Sequence, residues 1–196
     1  MPPNQQLWRK MLTAGPAGLV PFMLLTSATV LAAQGPRIQQ LGNDYELSLP
    51  PATKATIERA APGFKTWRLT DYDSDVRQFY LFTMREAPWA VIGDFNGDGV
   101  DDVVLDGYTA TKELRLVVLS HSGESRVLTL EADGRTPNAG SRYEVLQFVA
   151  PGKVGTNFSD DTKLIFTDAF NVYFWEKAGT MYYWEGDHFS PFGTSD

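Results

Sequence analysis

The stretch VIGDFNGDGVDDVVLDGY, residues 91–108, places an acidic, glycine-rich turn between two apolar runs. The runs are rich in β-branched residues, which favour strands, and Asn, Asp and Gly are the residues that tight turns need. The stretch therefore predicts two strands joined by a short loop. The composition of that loop raises the question of whether its carboxylates bind a metal ion.

Short runs of β-branched and aromatic residues follow one another through most of the chain after residue 63. Gly, Asn, Asp or Pro separate most of them, at intervals of about 8–12 residues that are typical of an antiparallel meander. Glycines at 121–125, 176–180 and 185–189 predict hairpin turns. The predicted strands cover residues 79–84, 89–94, 102–107, 114–121, 126–132, 143–150, 163–168, 171–176 and 181–185.

One short helix is predicted before the strands. Residues 53–61 are rich in helix formers, with Thr53 as a candidate N-cap and Pro62 just after the end. Residues 34–52 are polar and broken by prolines, which predicts an extended arm. The expected fold class is α+β, mainly an antiparallel β meander with one short N-terminal helix, and residues 53–196 are predicted to form a single domain.

Residues 1–33 have the pattern of a secretory signal peptide. A basic stretch, WRKM at 8–11, precedes the apolar run LVPFMLLTSATVLAA, and the small residues at its end predict cleavage after Ala32 or Ala33. A membrane anchor is the alternative, but a spanning helix needs about 20 apolar residues, and this run is shorter and contains Pro21. The sequence therefore predicts a secreted or periplasmic protein with no integral membrane segment in its mature part.

Charge and cysteine content narrow the possible functions. The chain has 196 residues, a formal net charge of −7 and no cysteine. Without cysteine there is no disulfide, no thiolate metal site and no cysteine nucleophile. An acidic chain is a poor candidate for binding nucleic acid or anionic lipid and a reasonable one for binding cations.

The loop of residues 94–102 carries oxygen-bearing side chains at the spacing of a calcium site. Counting from its first aspartate, they fall at positions 1, 3, 5 and 9, and a glycine at position 6 allows the chain to reverse. The backbone carbonyl of position 7 is also available, and calcium prefers about six to eight such oxygens. The predicted ligands are Asp94, Asn96, Asp98, the carbonyl of Val100, and Asp102.

The flanking residues distinguish between kinds of calcium loop. A helix–loop–helix hand needs a glutamate at position 12, where this chain has Leu105, and helices on both sides. With strand-like flanks, GDFNGDGVDDVVL at 93–105 closely resembles the calcium-binding hairpin of FG-GAP repeats, also known as VCBS repeats. The resemblance implies calcium ligation by the same five residues. An acidic turn without an ion is the alternative.

FG-GAP repeats are the units of integrin-type β-propellers, and the resemblance covers a single copy. A propeller needs several blades of four strands each, so the sequence predicts that no complete propeller forms. More loosely, the order of a short helix, this loop and the terminal YYWEGDHF at 182–189 is similar to small exported bacterial proteins that carry a solitary repeat of this kind.

Other candidate residues have simpler interpretations. DYDSD at 71–75 alternates aspartates but lacks the glycine and the fourth ligand, which favours a solvated acidic loop over a second metal site. His121 and His188 lie far apart, in predicted turns or strand ends, which favours ordinary surface or half-buried histidines over a catalytic base. The chain contains none of the common motifs of hydrolases or phosphate-binding loops.

The last third of the chain concentrates aromatic residues. In NVYFWE at 171–176 and MYYWE at 181–185 both strand faces are bulky, so one face is predicted to be core and the other to be covered or to bind a protein or carbohydrate partner. The sequence thus predicts an exported calcium-binding module whose ion is mainly structural. The alternative is a metal-dependent extracytoplasmic hydrolase, for which Asp101 and Asp106 are the unassigned acids near the loop.

Overall fold

Strands make up about half of the described part of the chain. The computed structural model describes residues 35–133, 141–157 and 159–195, so the predicted signal peptide, residues 1–33 with its cleavage site at Ala32 or Ala33, lies outside the described residues. The described residues belong to one compact unit. Its strands are β1 (Arg37–Leu41), β2 (Asp44–Ser48), β3 (Lys65–Thr66), β4 (Ala90–Gly93), β5 (Asp102–Tyr108), β6 (Glu113–His121), β7 (Glu124–Asp133), β8 (Glu144–Val149), β9 (Gly152–Gly155), β10 (Thr162–Ile165), β11 (Ala169–Phe174), β12 (Gly179–Trp184) and β13 (Phe189–Ser195).

β5 and β6 form the centre of the first sheet. β6 pairs with β7, and the other edge of β5 carries β3 and β4 end to end, all antiparallel. Both faces of β5 and β6 are buried, which explains why these strands have nearly continuous apolar sequences. The two strands and the loop predicted for residues 91–108 are therefore present, as β4, the loop and β5.

The second sheet has the strand order β13-β12-β11-β8 and is also antiparallel. One of its faces packs on the first sheet, where Phe170 and Leu146 join Val104 and Val117 in one buried cluster. Among the described residues the strands close neither a barrel nor a propeller. The predicted α+β class, mainly antiparallel β and without a complete propeller, is confirmed.

The N-terminal helix begins two residues earlier than predicted. α1 spans Pro51–Ala60, and a proline in the first turn costs no hydrogen bond because that N–H has no partner in the helix. Thr53 is not the N-cap: it is buried inside α1, and its Oγ1 lies 3.2 Å from Ser125 Oγ on β7. α1 thus packs on the face of the first sheet that points away from the second sheet, where Ile57 joins the core.

The prediction of a strand at residues 79–84 is wrong, because these residues are helical. A second helix, α2 (Ser74–Phe79), continues into a single π turn, Tyr80–Met84. Val76 and Tyr80 are both fully buried and lie four residues apart, which is a helical period. The aromatic composition of FYLFTM favours a strand locally. These residues are nevertheless helical, because a capped helix begins just before them and because their buried side chains repeat at the helical period.

Two small hairpins complete the structure. Within residues 34–52, predicted as an extended arm, β1 and β2 pair with each other and α1 begins. The buried Tyr45 of β2 donates its hydroxyl proton to the carbonyl of Tyr80 at 3.0 Å, so this hairpin is packed on the core. β9 and β10 form the other hairpin, which covers part of the second sheet by placing Ile165 against Met181.

Candidate metal centre

The candidate calcium loop, residues 94–101, connects β4 to β5. Its ends are fixed because Gly93 and Asp102 are cross-strand partners in the antiparallel pair. The chain reverses at Gly97 and Gly99, whose φ angles of +77° and +82° lie in the left-handed region that favours glycine. The glycine expected at position 6 therefore has the backbone conformation that the sequence predicts.

The carboxylate of Asp94 is the centre around which the loop is wrapped. Its Oδ1 accepts the backbone N–H groups of Gly97 and Asp98 at 2.8 and 2.9 Å, and its Oδ2 accepts that of Gly99 at 2.8 Å. Three donors on one carboxylate fix the turn. The first predicted ligand thus organises the backbone of the loop.

Asn96 and Asp98 are held by the loop and by a residue outside it. Asn96 Oδ1 accepts the N–H of Asp98 at 3.0 Å, and Asp98 Oδ1 accepts the N–H of Val100 at the same distance. Asp98 Oδ2 lies 2.8 Å from Nδ1 of His121, at the end of β6. This contact, with the backbone hydrogen bond from Val100, holds the pKa of Asp98 below its usual value.

Asp102 is the buried member of the predicted ligand set. Its Oδ2 accepts the N–H of Phe95 at 3.1 Å, and its Oδ1 accepts the N–H of Ser120 on β6 at 2.7 Å. Burial raises the pKa of Asp102 to about 7, although the backbone hydrogen bonds from Ser120, Asn96 and Phe95 favour its ionised form. Asp102 thereby ties the loop to the neighbouring strand.

The corner between β10 and β11 also contacts the loop, which the sequence did not predict. Asp168 Oδ2 accepts the backbone N–H of Asp94 at 2.8 Å. The side chain of Thr167 lies over Gly97, where a Cβ would be only 2.7 Å from Thr167 Cγ2. Asp168 is 74 residues away from Asp94, so no local spacing reveals the contact.

The chemistry of the donor set fits a calcium ion, since all the side-chain donors are oxygens and three of them are carboxylates. In the structure these oxygens are engaged by N–H groups and by His121. Within residues 35–133, 141–157 and 159–195, no group of three or more acidic or histidine side chains is gathered tightly enough to hold a metal. An ion bound by Asp98 would have to compete with His121 for the same carboxylate.

The aspartates of DYDSD serve the ends of local helical segments. Asp71 Oδ2 accepts the N–H of Arg68 at 2.8 Å at the start of a short 3-10 turn. Asp73 caps α2 by accepting the N–H of Asp75 at 2.9 Å, and it also accepts the hydroxyl proton of Tyr143 at 3.0 Å. These contacts account for Asp71 and Asp73 without a metal ion.

Both histidines are exposed, and both contact carboxylates. In the turn between β12 and β13, His188 Nδ1 lies 2.6 Å from Asp187 Oδ1, and its Nε2 lies 3.2 Å from the hydroxyl of Ser190. The arrangement of Ser190, His188 and Asp187 resembles the nucleophile, base and acid of a catalytic triad. However, the Ser190 hydroxyl donates its proton to Glu185 Oε2 at 2.7 Å, so the proton is not directed at the histidine.

The acids considered for the hydrolase alternative do not meet at the loop. Asp101 is exposed. Asp106 is buried further along β5, where its Oδ1 and Oδ2 accept Nε and Nη2 of Arg115 at 2.7 and 3.0 Å. A carboxylate that is engaged in this way is not available as a base for a reaction at residues 94–102.

The C-terminal aromatic side chains are mostly packed inside the domain. Phe170 is fully buried, stacks on Tyr182 with a centroid separation of 5.5 Å and contacts Phe95 of the candidate calcium loop at the same separation. An exposed aromatic pair remains, because Tyr143 and Phe174 are each 38% exposed and stack at 6.1 Å.

No protein-family model, no curated protein and no solved structure matches this chain. Neither helix of the described residues is long and apolar enough to cross a membrane. The function is therefore inferred from the residues of the chain and their contacts.

Proposed function

We propose that this protein is an exported calcium-binding module whose loop of residues 94–102 binds one Ca²⁺ ion that mainly stabilises the fold. The observation that supports the proposal is the combination of oxygen donors at positions 1, 3, 5 and 9 with a loop wrapped around the first of them. Two strands of a central sheet hold both ends of that loop.

Each predicted ligand has a defined part in this proposal. Asp94, Asn96, Asp98 and Asp102 would supply side-chain oxygens, and Val100 would supply its carbonyl. The ion would offset two of the three negative charges on carboxylates that repel one another in its absence. Because Asp102 is already bonded to Ser120 of β6, an ion bound there would join the loop to the centre of the first sheet.

The expected stabilisation is large enough to measure. A site with a Kd of about 10 μM in a medium with about 1 mM calcium stabilises the folded state by roughly 2.7 kcal/mol. A chain of this size then melts about 5–10 °C higher. For a protein without disulfides this is a substantial part of a total stability of about 5–15 kcal/mol.

Thermal melting with calcium and with chelator tests the proposal. Calcium should raise the Tm of the wild type and of Asp160→Ala, which removes an exposed aspartate outside the loop, and should leave the Tm of Asp98→Ala unchanged. Magnesium should have little effect, because it tolerates flexible, high-coordination sites poorly. If the wild type melts at the same temperature in calcium and in chelator, the proposed site does not bind calcium.

The proposal includes export, which is inferred from the signal-peptide pattern of residues 1–33. Mass spectrometry of the protein from cells should find a mature chain that starts just after Ala32 or Ala33. An intact N-terminus in the membrane fraction would instead identify these residues as an anchor.

Carbohydrate binding is a second candidate function, supported by the exposed pair Tyr143 and Phe174. Aromatic rings of this kind stack on sugars. Lys177 Nζ, which lies over the ring of Phe174 at 4.9 Å from its centroid, adds a hydrogen-bond donor beside the pair. Binding to a glycan array that is lost in Phe174→Ala would support this role. Capture of a protein instead of a glycan would indicate that the exposed pair binds a protein partner.

A further inference from the structure

The corner formed by Thr167 and Asp168 contacts the candidate calcium loop at two points. Asp168 Oδ2 accepts the N–H of Asp94 at 2.8 Å, and the methyl carbon of Thr167 lies over Gly97. A Cβ at Gly93 would come within 2.9 Å of Asp168 Oδ2, so this corner also approaches the end of β4 closely.

The position of Asp168 gives its hydrogen bond a specific effect. The N–H that it accepts belongs to Asp94, the residue whose carboxylate accepts three further N–H groups of the loop. The hydrogen bond joins the corner to the backbone at the start of the loop. It therefore fixes the backbone from which the first predicted ligand projects.

The same corner is continuous with the β9–β10 hairpin. Within the described residues, β9 and β10 pair only with each other, and the hairpin is held to the second sheet by contacts such as those of Ile165 and Val154. A two-stranded hairpin is marginally stable by itself, so its order depends on what holds its ends.

We propose that the Thr167–Asp168 corner positions the calcium loop and couples ion binding to the order of the β9–β10 hairpin. The inference rests on the proposed calcium site. Asp168 acts as a positioning residue through the backbone of Asp94 and is not itself a ligand. Because coupling free energies are reciprocal, an ion in the loop must stabilise the corner as much as the corner favours the ion.

Calcium affinity of the full chain tests the positioning role, measured by titration against a chelator of known affinity. Asp168→Ala removes the acceptor and should weaken calcium binding about tenfold or more. Asp168→Asn keeps an oxygen acceptor and should stay within about threefold of the wild type. Asp161→Ala is the control, because Asp161 lies in the β9–β10 turn and bonds to Ser159 and not to the loop.

The outcomes separate this inference from the proposed function. No calcium binding by the wild type overturns both. Binding by the wild type with unchanged affinity in Asp168→Ala overturns the positioning role alone. If Asp168→Asn loses as much affinity as Asp168→Ala, the charge of Asp168 is itself required, which contradicts action through the backbone.

Hydrogen exchange of the wild type tests the coupling independently of any variant that fails to fold. Amides of residues 152–157 and 159–165 should exchange more slowly with calcium than with chelator, and this protection should be lost in Asp168→Ala. Exchange rates in the hairpin that do not respond to calcium, while amides of residues 97–99 do, would overturn the coupling.

Discussion

Gly97 combines two constraints at a single residue. Its φ of +77° disfavours any side chain, and a Cβ there would stand 2.7 Å from Thr167 Cγ2. Gly97→Ala should therefore cost about 1–2 kcal/mol for the backbone conformation and about 1–3 kcal/mol for overpacking. Thr167→Ser removes Cγ2 and keeps the hydroxyl, so it should relieve the second cost and leave the first.

A double-mutant cycle, measured by urea unfolding in chelator, checks this prediction. We expect Gly97→Ala to cost about 1–3 kcal/mol less in the Thr167→Ser background than in the wild type. Gly123→Ala is the control, since Gly123 has a φ of +89° with open space around it and should show only the backbone cost. Strictly additive effects of Gly97→Ala and Thr167→Ser would show that the corner does not pack on the loop.

Whether a contact of the candidate site can be predicted depends on how far apart its two residues lie in the sequence. Asp94, Asn96, Asp98 and the glycines share one nine-residue window, so their spacing alone indicates an oxygen-rich turn between strands. His121 reaches Asp98 because β5 and β6 are paired, across 23 residues of sequence. Asp168 reaches Asp94 because two sheets pack together. Contacts that depend on tertiary packing leave no periodicity in the sequence.

Among the elements, apolar runs bounded by turn residues predict strands reliably, and composition alone does not. The strands around residues 91–121 were predicted correctly because apolar and turn residues both indicate the same structure there. Residues 79–84 have strand-forming composition, yet the cap of Asp73 starts a helix that runs into them. The helix cap at Asp73 and the helical spacing of Val76 and Tyr80 lie at least partly outside residues 79–84. The composition of those six residues alone therefore could not decide between helix and strand.

The turn between β12 and β13 contains an exposed network that gives a pH prediction. The hydrogen bond to Asp187, with the charge of Glu185 nearby, raises the pKa of His188 above its usual value. Glu185 is itself held by Ser190, Lys163 and Tyr183, which lower its pKa to about 2. We therefore expect His188 to stay protonated, and paired with ionised carboxylates, up to a higher pH than a histidine in an unfolded peptide.

NMR titration of the His188 imidazole checks this expectation. Its pKa should lie above that of a histidine in an unfolded peptide and should fall in Asp187→Asn. A raised folded-state pKa stabilises the fold below the unfolded pKa, and this contribution is lost as pH rises through the folded value. An unchanged His188 pKa in Asp187→Asn would rule out the ion pair.

At the scale of the whole molecule, polar contacts join the two sheets at both ends. At one end Asp168, which precedes β11, bonds to the loop that connects β4 to β5. At the other end Arg115 of β6 binds Asp106 of its own sheet and Glu144 at the start of β8. The apolar cluster around Phe170 and Val117 lies between these contacts. Apolar burial drives the sheets together, and the directional contacts at the ends restrict their relative position.

The buried Arg115 stabilises the fold through its pair with Asp106. Arg115 and Asp106 side chains are each 3% exposed, so Arg115→Ala leaves a carboxylate without its partner in the core. This should lower the free energy of unfolding by about 3–5 kcal/mol, whereas Arg115→Met combined with Asp106→Leu replaces the pair by apolar groups and should cost far less. Urea unfolding with and without calcium measures both effects. The increment due to calcium should be the same in the double variant as in the wild type, because distant sites contribute additively. A double variant as unstable as Arg115→Ala would show that the contact of Arg115 with Glu144, and not its pair with Asp106, stabilises the packing of the two sheets at this end.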